Sequence, residues 1–301
     1  MKVLICDPTA PEAIEEMRQA GIEVEVRDDI SAQELEASIP GYHGIVVRGR
    51  TKVRENVIDG AKDLKVIVRG GVGLDNIDVE YAQSKGITVM NTPAASSASV
   101  AELTIGYLFA LARHIPQATA SMKANRWEKK KFRGTEIQGK TLGLIGCGRI
   151  GSAVARRADA LGMKVIFHRR SRYEIDCAIQ VPFKELLQTS DYISFHVPYT
   201  EETHHLLGRE EFAMMKDGVY IVQCGRGGTI DEEALCEALV SGKVAGAALD
   251  VFETEPAVDN RLLQLDNVIG SPHIGASTVE AQARVGIEVA SLMIDFYKER
   301  F

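Results

Sequence analysis

The chain has 301 residues, 45% hydrophobic and 26% charged, with 27 Gly and 9 Pro. That apolar share excludes wholesale disorder and a collagen-like repeat, and the length corresponds to about two domains. Against 42 Asp and Glu stand 35 Lys and Arg, and the net charge of −7 argues against nucleic acid as a main partner.

The longest weakly polar run, Leu103 to Ala112, is about half of the roughly 20 residues that cross a bilayer, so no membrane partner is expected. Lys2 is followed by Val3-Leu4-Ile5-Cys6-Asp7, too short and too soon acidic for a secretory signal. The five Cys (6, 147, 177, 224 and 236) form no CxxC spacing, so neither a disulfide framework nor a zinc site is suggested. His204 and His205 are adjacent, a spacing unsuited to holding a metal on one helical face, and no metal is expected. These features point to a reducing, cytoplasmic setting.

Short apolar runs alternate with helical patterns along the chain. Val3 to Cys6 reads as a strand, and the helix Ala13 to Ala20 stops at Gly21, which tolerates positive φ. There follow the strand Ile22 to Val26, the helix Ala32 to Ile39, the strand Gly44 to Val47 and a helix near Glu55 to Ala61. The strand Lys65 to Val68, the helix Val79 to Ser84 and the strand Ile87 to Met90 complete this series. Strands separated by single helices require crossover connections and hence parallel pairing.

A long helix from Ser97 to about Arg113 precedes a second series. Its strands are Thr141 to Ile145, Lys164 to Phe167, Tyr192 to Val197, Val219 to Val222, Val244 to Leu249 and Val268 to Ile269. Helices intervene at Ile150 to Leu161, Phe183 to Gln188, Glu211 to Met215 and Glu232 to Val240, and Thr278 to Phe301 reads as one closing helix. The pattern is α/β, with two doubly wound parallel sheets joined near residue 95.

Gly146-Cys147-Gly148-Arg149-Ile150-Gly151 lies between a strand and the helix that follows it. A bare GxGxxG is a weak signal, but this context suits a dinucleotide. The first glycine permits the turn, the second lets the backbone approach a pyrophosphate, and the third allows close helix–strand packing. The helix N-terminus offers N–H groups to the phosphates. About 20 positions beyond the first glycine an acid normally takes the ribose 2′-hydroxyl of NAD. Here the strand ends in Phe167-His168-Arg169-Arg170-Ser171-Arg172, with Arg169 at the acid's place. Guanidiniums suit a 2′-phosphate better than a diol, so Arg169 and Arg170 predict NADP in preference to NAD.

Three further stretches stand at strand ends: Gln223 to Gly228, Leu249 to Pro256 and Ser271 to Thr278. Reducing a 2-oxo acid needs a cation for the carboxylate, a proton donor for the developing alkoxide and a hydride source. Arg226, His273 and, as the carboxylate beside the histidine, Glu255 have the chemistry for the protein's share of this work.

With Arg69-Gly70-Gly71-Val72-Gly73-Leu74-Asp75-Asn76-Ile77-Asp78, Asn91-Thr92-Pro93, Ala101-Glu102-Leu103-Thr104, Trp127 to Gly134 and His196-Val197-Pro198, these stretches resemble the D-isomer-specific 2-hydroxyacid dehydrogenases nearly end to end. The likeness is greatest to their phosphoglycerate dehydrogenase branch. It implies Arg226 as the substrate-binding catalytic arginine, Glu255 as the carboxylate partner and His273 as acid/base. It also implies cofactor contacts from Val72, Arg149, Ile150, Val197, Cys224, Asp250 and Gly275, with Asp250 holding the nicotinamide carboxamide.

The resemblance further implies a flavodoxin-like substrate domain, 1–95 plus 278–301, with a Rossmann cofactor domain, 96–277, inserted in it. A homodimer interface would form around Ser97 to Asn125. Arg48, Thr51 and Arg69 are candidates for a substrate phosphate, beside Gly70 and Gly71, although Arg48 and Thr51 stand in exposed-looking sequence. Gln223 stands where relatives commonly carry Asn, and Arg169 departs from the acid usual in the phosphoglycerate branch. An NADPH-dependent glyoxylate or hydroxypyruvate reductase is therefore the alternative. A dinucleotide-sensing interaction protein is a third reading, disfavoured because a sensor needs no proton relay. The sequence ends at Phe301 directly after the closing helix, so the regulatory domains of longer phosphoglycerate dehydrogenases are not expected.

Overall fold

The structure, a computed structural model, describes residues 1–300. It divides into two compact units: Met1–Ser96 together with the segment from Ala276 onward, and Ser97–Gly275.

In the first unit β1 (Lys2–Ile5), β2 (Glu23–Val26), β3 (Gly44–Val47), β4 (Val66–Arg69) and β5 (Thr88–Asn91) form one parallel sheet in the order β2-β1-β3-β4-β5. This is the flavodoxin-like order, with the direction of winding reversing between β1 and β3. Leu4, Ile45 and Ile67 bury one face against α2 (Ala32–Ser38), α3 (Glu55–Gly60) and α4 (Val79–Ser84) through Leu35, Val57 and Ala82. Val3, Ile5, Val46 and Val68 bury the other against α1 (Pro11–Gln19) and the closing helix, Val279–Arg300. Because both faces are covered, β1, β3 and β4 read as largely apolar runs, whereas the edge strand β2 alternates glutamate and valine. The closing helix presents Val285, Val289, Met293 and Phe296 at helical spacing to this core. Arg284 Nε fastens it by donating to the Ala95 carbonyl at 2.8 Å.

In the second unit β6 (Thr141–Ile145), β7 (Lys164–His168), β8 (Ile179–Gln180), β9 (Tyr192–Phe195), β10 (Val219–Gln223), β11 (Val244–Leu249) and β12 (Val268–Gly270) are all parallel. Their order, β12-β11-β10-β9-β6-β7-β8, puts the topological switch between β6 and β9, where an open α/β sheet receives its ligand beyond the strand ends. One face packs on α5 (Ser97–Arg113) and α7 (Arg149–Ala160), and the other on α8 (Phe183–Thr189), α9 (Arg209–Met214) and α10 (Glu232–Val240).

Three elements escape the sequence reading, one of them a single 3-10 turn at Arg261–Gln264. A separate helix, α6 (Ile115–Lys123), follows α5, because His114 takes a left-handed conformation (φ 52°) and breaks the run just before Pro116. β8 has only two residues, too few for a periodic signal, and its Ile179 is exposed. Several boundaries also move by one or two residues, as where α1 begins at Pro11 rather than Ala13. β9 ends at Phe195 rather than Val197, and α9 begins at Arg209, where Glu211 accepts from the Gly208 N–H at 3.0 Å. Among the described residues no helix is long and apolar enough to cross a membrane.

Candidate active site

The glycine turn joins β6 to α7 at the switch point, and its three glycines do three different things. Gly146 has φ 93°, and a Cβ there would lie 2.6 Å from the His196 carbonyl oxygen and 2.9 Å from Val197 Cγ1. At Gly151 a Cβ would lie 2.5 Å from the Gly146 carbonyl oxygen, so this glycine lets α7 close on the turn. At Gly148 a Cβ would meet nothing within 4 Å. Gly148 is therefore not demanded by the fold, and the open space beside its backbone suits the close approach of a diphosphate. It caps α7 without a side chain, so the first N–H groups of the helix have no side-chain acceptor. Gly148 and Arg149 are exposed, Ile150 is half-buried, and Val197 lies against the first glycine. The residues present fit a dinucleotide.

At the end of β7, Arg169 turns back toward this loop. Nη1 donates to the Cys147 carbonyl at 3.2 Å and Nη2 to Ser171 Oγ at 2.9 Å, while the guanidinium lies over the Tyr173 ring at 4.7 Å. Arg170 and Arg172 point elsewhere: Arg170 bonds Glu202, and Arg172 bonds Glu174 at 2.7 Å. Of the three guanidiniums in this segment, only Arg169 bonds to the glycine turn.

Beyond β10 and β11 and after β12 lie Arg226, Glu255 and His273. His273 Nδ1 and Glu255 Oε2 are 2.8 Å apart, and Glu255 Oε1 accepts from the Phe252 N–H at 3.2 Å. Burial alone would raise the Glu255 carboxyl. Its bond to His273, the charge of that imidazole, the Phe252 N–H and the charge of Arg226 outweigh burial and hold it below the ordinary range. Nδ1 is thus committed to the carboxylate, and Nε2 takes no part in that contact. The unit brings the imidazole, its acid and the arginine's charge within electrostatic reach of one another.

These side chains stand on loops, and buried polar groups brace the loops. Gln223, at the end of β10, receives the Gly225 N–H on Oε1 at 2.9 Å and donates from Nε2 to the Arg226 carbonyl at 3.1 Å and to Thr229 Oγ1 at 2.6 Å. Asp250, only 1% exposed, accepts the N–H groups of Ile274 and Gly275, both at 2.8 Å, and the hydroxyl of Ser271. Its carboxylate therefore holds the loop on which His273 stands, where φ is 52°. Cys224 is buried, and burial pushes its thiol up to about 12.

The bracing roles of Gln223, Asp250 and Ser271 went unread in the sequence. Their signal is a polar residue at a strand end or tight loop, where the apolar pattern breaks without a turn glycine.

In the first unit Arg48 follows β3 and Arg69 ends β4. Arg48 Nη1 donates to the Pro8 carbonyl at 3.2 Å, and burial draws its guanidinium below the usual range against the opposing charge of Asp7. Arg48, Gly70, Ala10 and Gln282 line a cavity of about 390 Å³. Arg69 is 9% exposed, its guanidinium packed on Gly71 and its Nε directed at the Arg48 carbonyl at 3.3 Å. The Val72 carbonyl accepts from Asn91 Nδ2 at 2.6 Å. The exposed-looking context of Arg48 and Thr51 is corrected here. Arg48 is half-buried, and Thr51 is buried with its hydroxyl donating to Asp7 Oδ1 at 2.9 Å, committed to the fold.

Fold and site together define a nicotinamide-dependent oxidoreductase that acts on the CH–OH group of 2-hydroxy acids. Its cofactor is NAD or NADP. Residues 105–275 match the family described as D-isomer specific 2-hydroxyacid dehydrogenase, NAD binding domain. The chain is 53% identical over 293 residues to a hydroxypyruvate reductase of Thermotoga maritima, covering 96% of this chain and 95% of that protein. It is 51% identical over 295 residues to the D-3-phosphoglycerate dehydrogenase of Methanocaldococcus jannaschii, covering 96% of this chain but 56% of that one. The chain thus spans little more than half the length of the phosphoglycerate dehydrogenases it matches. The solved structure of a glyoxylate reductase from Paecilomyes thermophila superposes with a TM-score of 0.90 at 33% identity, covering 97% of this chain and 94% of that one. The chain belongs to the D-isomer specific 2-hydroxyacid dehydrogenase family.

Proposed function

We propose that the protein reduces a short 2-oxo acid of the hydroxypyruvate or glyoxylate class to the D-2-hydroxy acid, with NADPH as the preferred reductant. The observation that carries the chemistry is the 2.8 Å contact between His273 Nδ1 and Glu255 Oε2, with the charge of Arg226 acting on the same carboxylate. Arg226 grips the substrate carboxylate, since a planar fork of N–H groups matches two carboxylate oxygens. His273 Nε2 delivers a proton to the carbonyl oxygen as negative charge grows there, and Glu255 keeps the ring oriented and stabilises its charged form. The bound nicotinamide supplies the hydride. Gly146, Gly148, Arg149, Ile150, Gly151, Val197, the Cys224 main chain, Asp250, Gly275 and Val72 are the residues proposed to hold it. Asp250 does so while bracing the His273 loop. In the oxidative direction His273 acts as the base.

The preference for NADPH rests on Arg169, which stands where an acid would take the ribose diol and points its guanidinium at the glycine turn. Arg170 becomes a second donor only if it leaves Glu202. A phosphorylated substrate such as 3-phosphohydroxypyruvate is a second reading, favoured by Arg48 and Arg69 with Gly70 and Gly71 at the strand ends of the first unit. A homodimer through the segment around Ser97 to Asn125 is supported by exposed Phe109, Ile115 and Met122, with Trp127 exposed just beyond it. Five free cysteines suit a cytoplasmic location.

The test is a substrate panel of 3-phosphohydroxypyruvate, hydroxypyruvate, glyoxylate and pyruvate, run with NADPH and with NADH. The expected result is turnover of at least one acid, a higher kcat/KM with NADPH, and loss of turnover in His273→Ala. A higher kcat/KM with NADH overturns the cofactor preference. Inactivity on every acid, in a protein that still binds dinucleotide, turns the reading to a sensor.

A further inference from the structure

Arg169 bonds the glycine turn from a segment, 169–173, whose main chain is tied at three points to one side chain, that of Gln180. We infer that Gln180 is a positioning residue for the 2′-phosphate of NADPH, acting through the loop that carries Arg169. This rests on the NADPH preference proposed above and adds the group that enforces it.

Gln180 lies on the edge strand β8, in register with Phe167 of β7, and the next residue, Val181, donates its N–H to the Phe167 carbonyl at 2.9 Å. From that fixed base both amide protons and the oxygen of the carboxamide are engaged. Nε2 donates to the carbonyls of Arg169 at 3.0 Å and Ser171 at 3.1 Å, and Oε1 accepts the Tyr173 N–H at 2.9 Å. Three main-chain groups of one five-residue loop are thus tied to a single side chain. Only a carboxamide supplies two donors and an acceptor in one plane at this reach.

The consequence is the placement of the anion-binding groups. With Tyr173 fixed, its ring offers Arg169 a face to stack on, and Phe167 supports that ring edge-on at 6.2 Å. Stacking holds the guanidinium plane, and the bond to the Cys147 carbonyl sets its direction. Ser171 Oγ accepts from Arg169, which leaves its own proton free to be donated to a phosphate. Arg169 keeps further N–H groups beyond the two engaged here, since a guanidinium carries about five. Without Gln180 the loop would lose these three anchors, and Arg169 would spend part of its binding on ordering itself.

The experiment measures binding of adenosine 2′,5′-bisphosphate and of 5′-AMP by calorimetry, so that no turnover is needed. Gln180→Met keeps the volume and removes all three hydrogen bonds. The expected result is that the wild type binds the bisphosphate about tenfold more tightly than 5′-AMP, and that Gln180→Met loses about tenfold on the bisphosphate alone. A merely structural role would weaken both ligands alike, and that outcome overturns the inference, as does unchanged bisphosphate affinity. A wild type that fails to favour the bisphosphate overturns the NADPH reading and this inference with it. Should Gln180→Met not fold, the neutral Gln180→Ala removes the same three hydrogen bonds without adding a charge beside the phosphate, and the same selective loss is expected.

Discussion

Replacing Gly148 by alanine separates the cofactor's demand on the glycine turn from the fold's. A Cβ at this position meets no heavy atom within 4 Å, and the backbone (φ −91°, ψ −151°) is extended, so the fold should accept the methyl group. A phosphate oxygen that bonds a backbone N–H must come to about 2.8–3.0 Å, and a methyl standing in that approach prevents it. Loss of one charge-assisted bond costs about 1.5–3 kcal/mol, or about 10- to 100-fold in Kd.

Gly151→Ala is the contrasting case, because its Cβ would sit 2.5 Å from the Gly146 carbonyl oxygen. Overpacking costs about 1–3 kcal/mol, offset by about 1 kcal/mol for replacing a helical glycine, so a net loss of a few degrees in Tm is expected. Titration with NADPH and a thermal scan on each variant make the comparison. Wild-type affinity in Gly148→Ala, or a fall in its Tm matching that of Gly151→Ala, would refute the assignment of Gly148 to the diphosphate.

Glu255→Gln removes the carboxylate that orients the His273 ring and lies against it at 2.8 Å. The kcat/KM for reduction should therefore fall by about 10- to 100-fold, and an unchanged value would remove Glu255 from the relay. Asp250→Asn turns one acceptor oxygen into a donor facing N–H groups, at a cost of about 1–3 kcal/mol. Urea unfolding should show that loss together with a lower kcat, and a variant with unchanged kcat would mean the loop does not depend on this carboxylate. His196, whose Nδ1 is buried without a hydrogen-bond partner among the described residues, is drawn from 6.5 down to about 4 by burial. The unfolded chain takes up a proton there first. Stability is therefore full above about pH 6.5 and falls as the pH drops toward 4, by about 3 kcal/mol from this group. Unfolding of the wild type and His196→Gln at pH 7 and pH 4.5 should show the smaller drop in the variant, and equal drops would contradict the reasoning.

The order of strands and helices was legible chiefly because the central strands are buried on both faces. Gly44–Val47 and Val244–Leu249 announce themselves as apolar runs whatever surrounds them, and Gly21 marks a helix end by its own conformational freedom. The glycine turn and the Arg, Glu and His at successive strand ends were visible for a related reason. A parallel sheet puts its ligand beyond its strand ends, so position along the chain already implies position in the site.

Contacts between segments far apart in sequence were not visible. That Thr51 is spent on Asp7, that Arg170 faces Glu202 while Arg169 faces the turn, and that Asp250 holds the His273 loop all depend on such pairs. So does the two-residue strand that presents Gln180, which exists only by pairing with β7. Sequence alone determined which backbone elements form and which reactive groups stand at their ends, because burial and turn chemistry are local. Tertiary structure decided where each polar side chain is committed, because a hydrogen bond is settled by whichever partner the fold brings within about 3 Å.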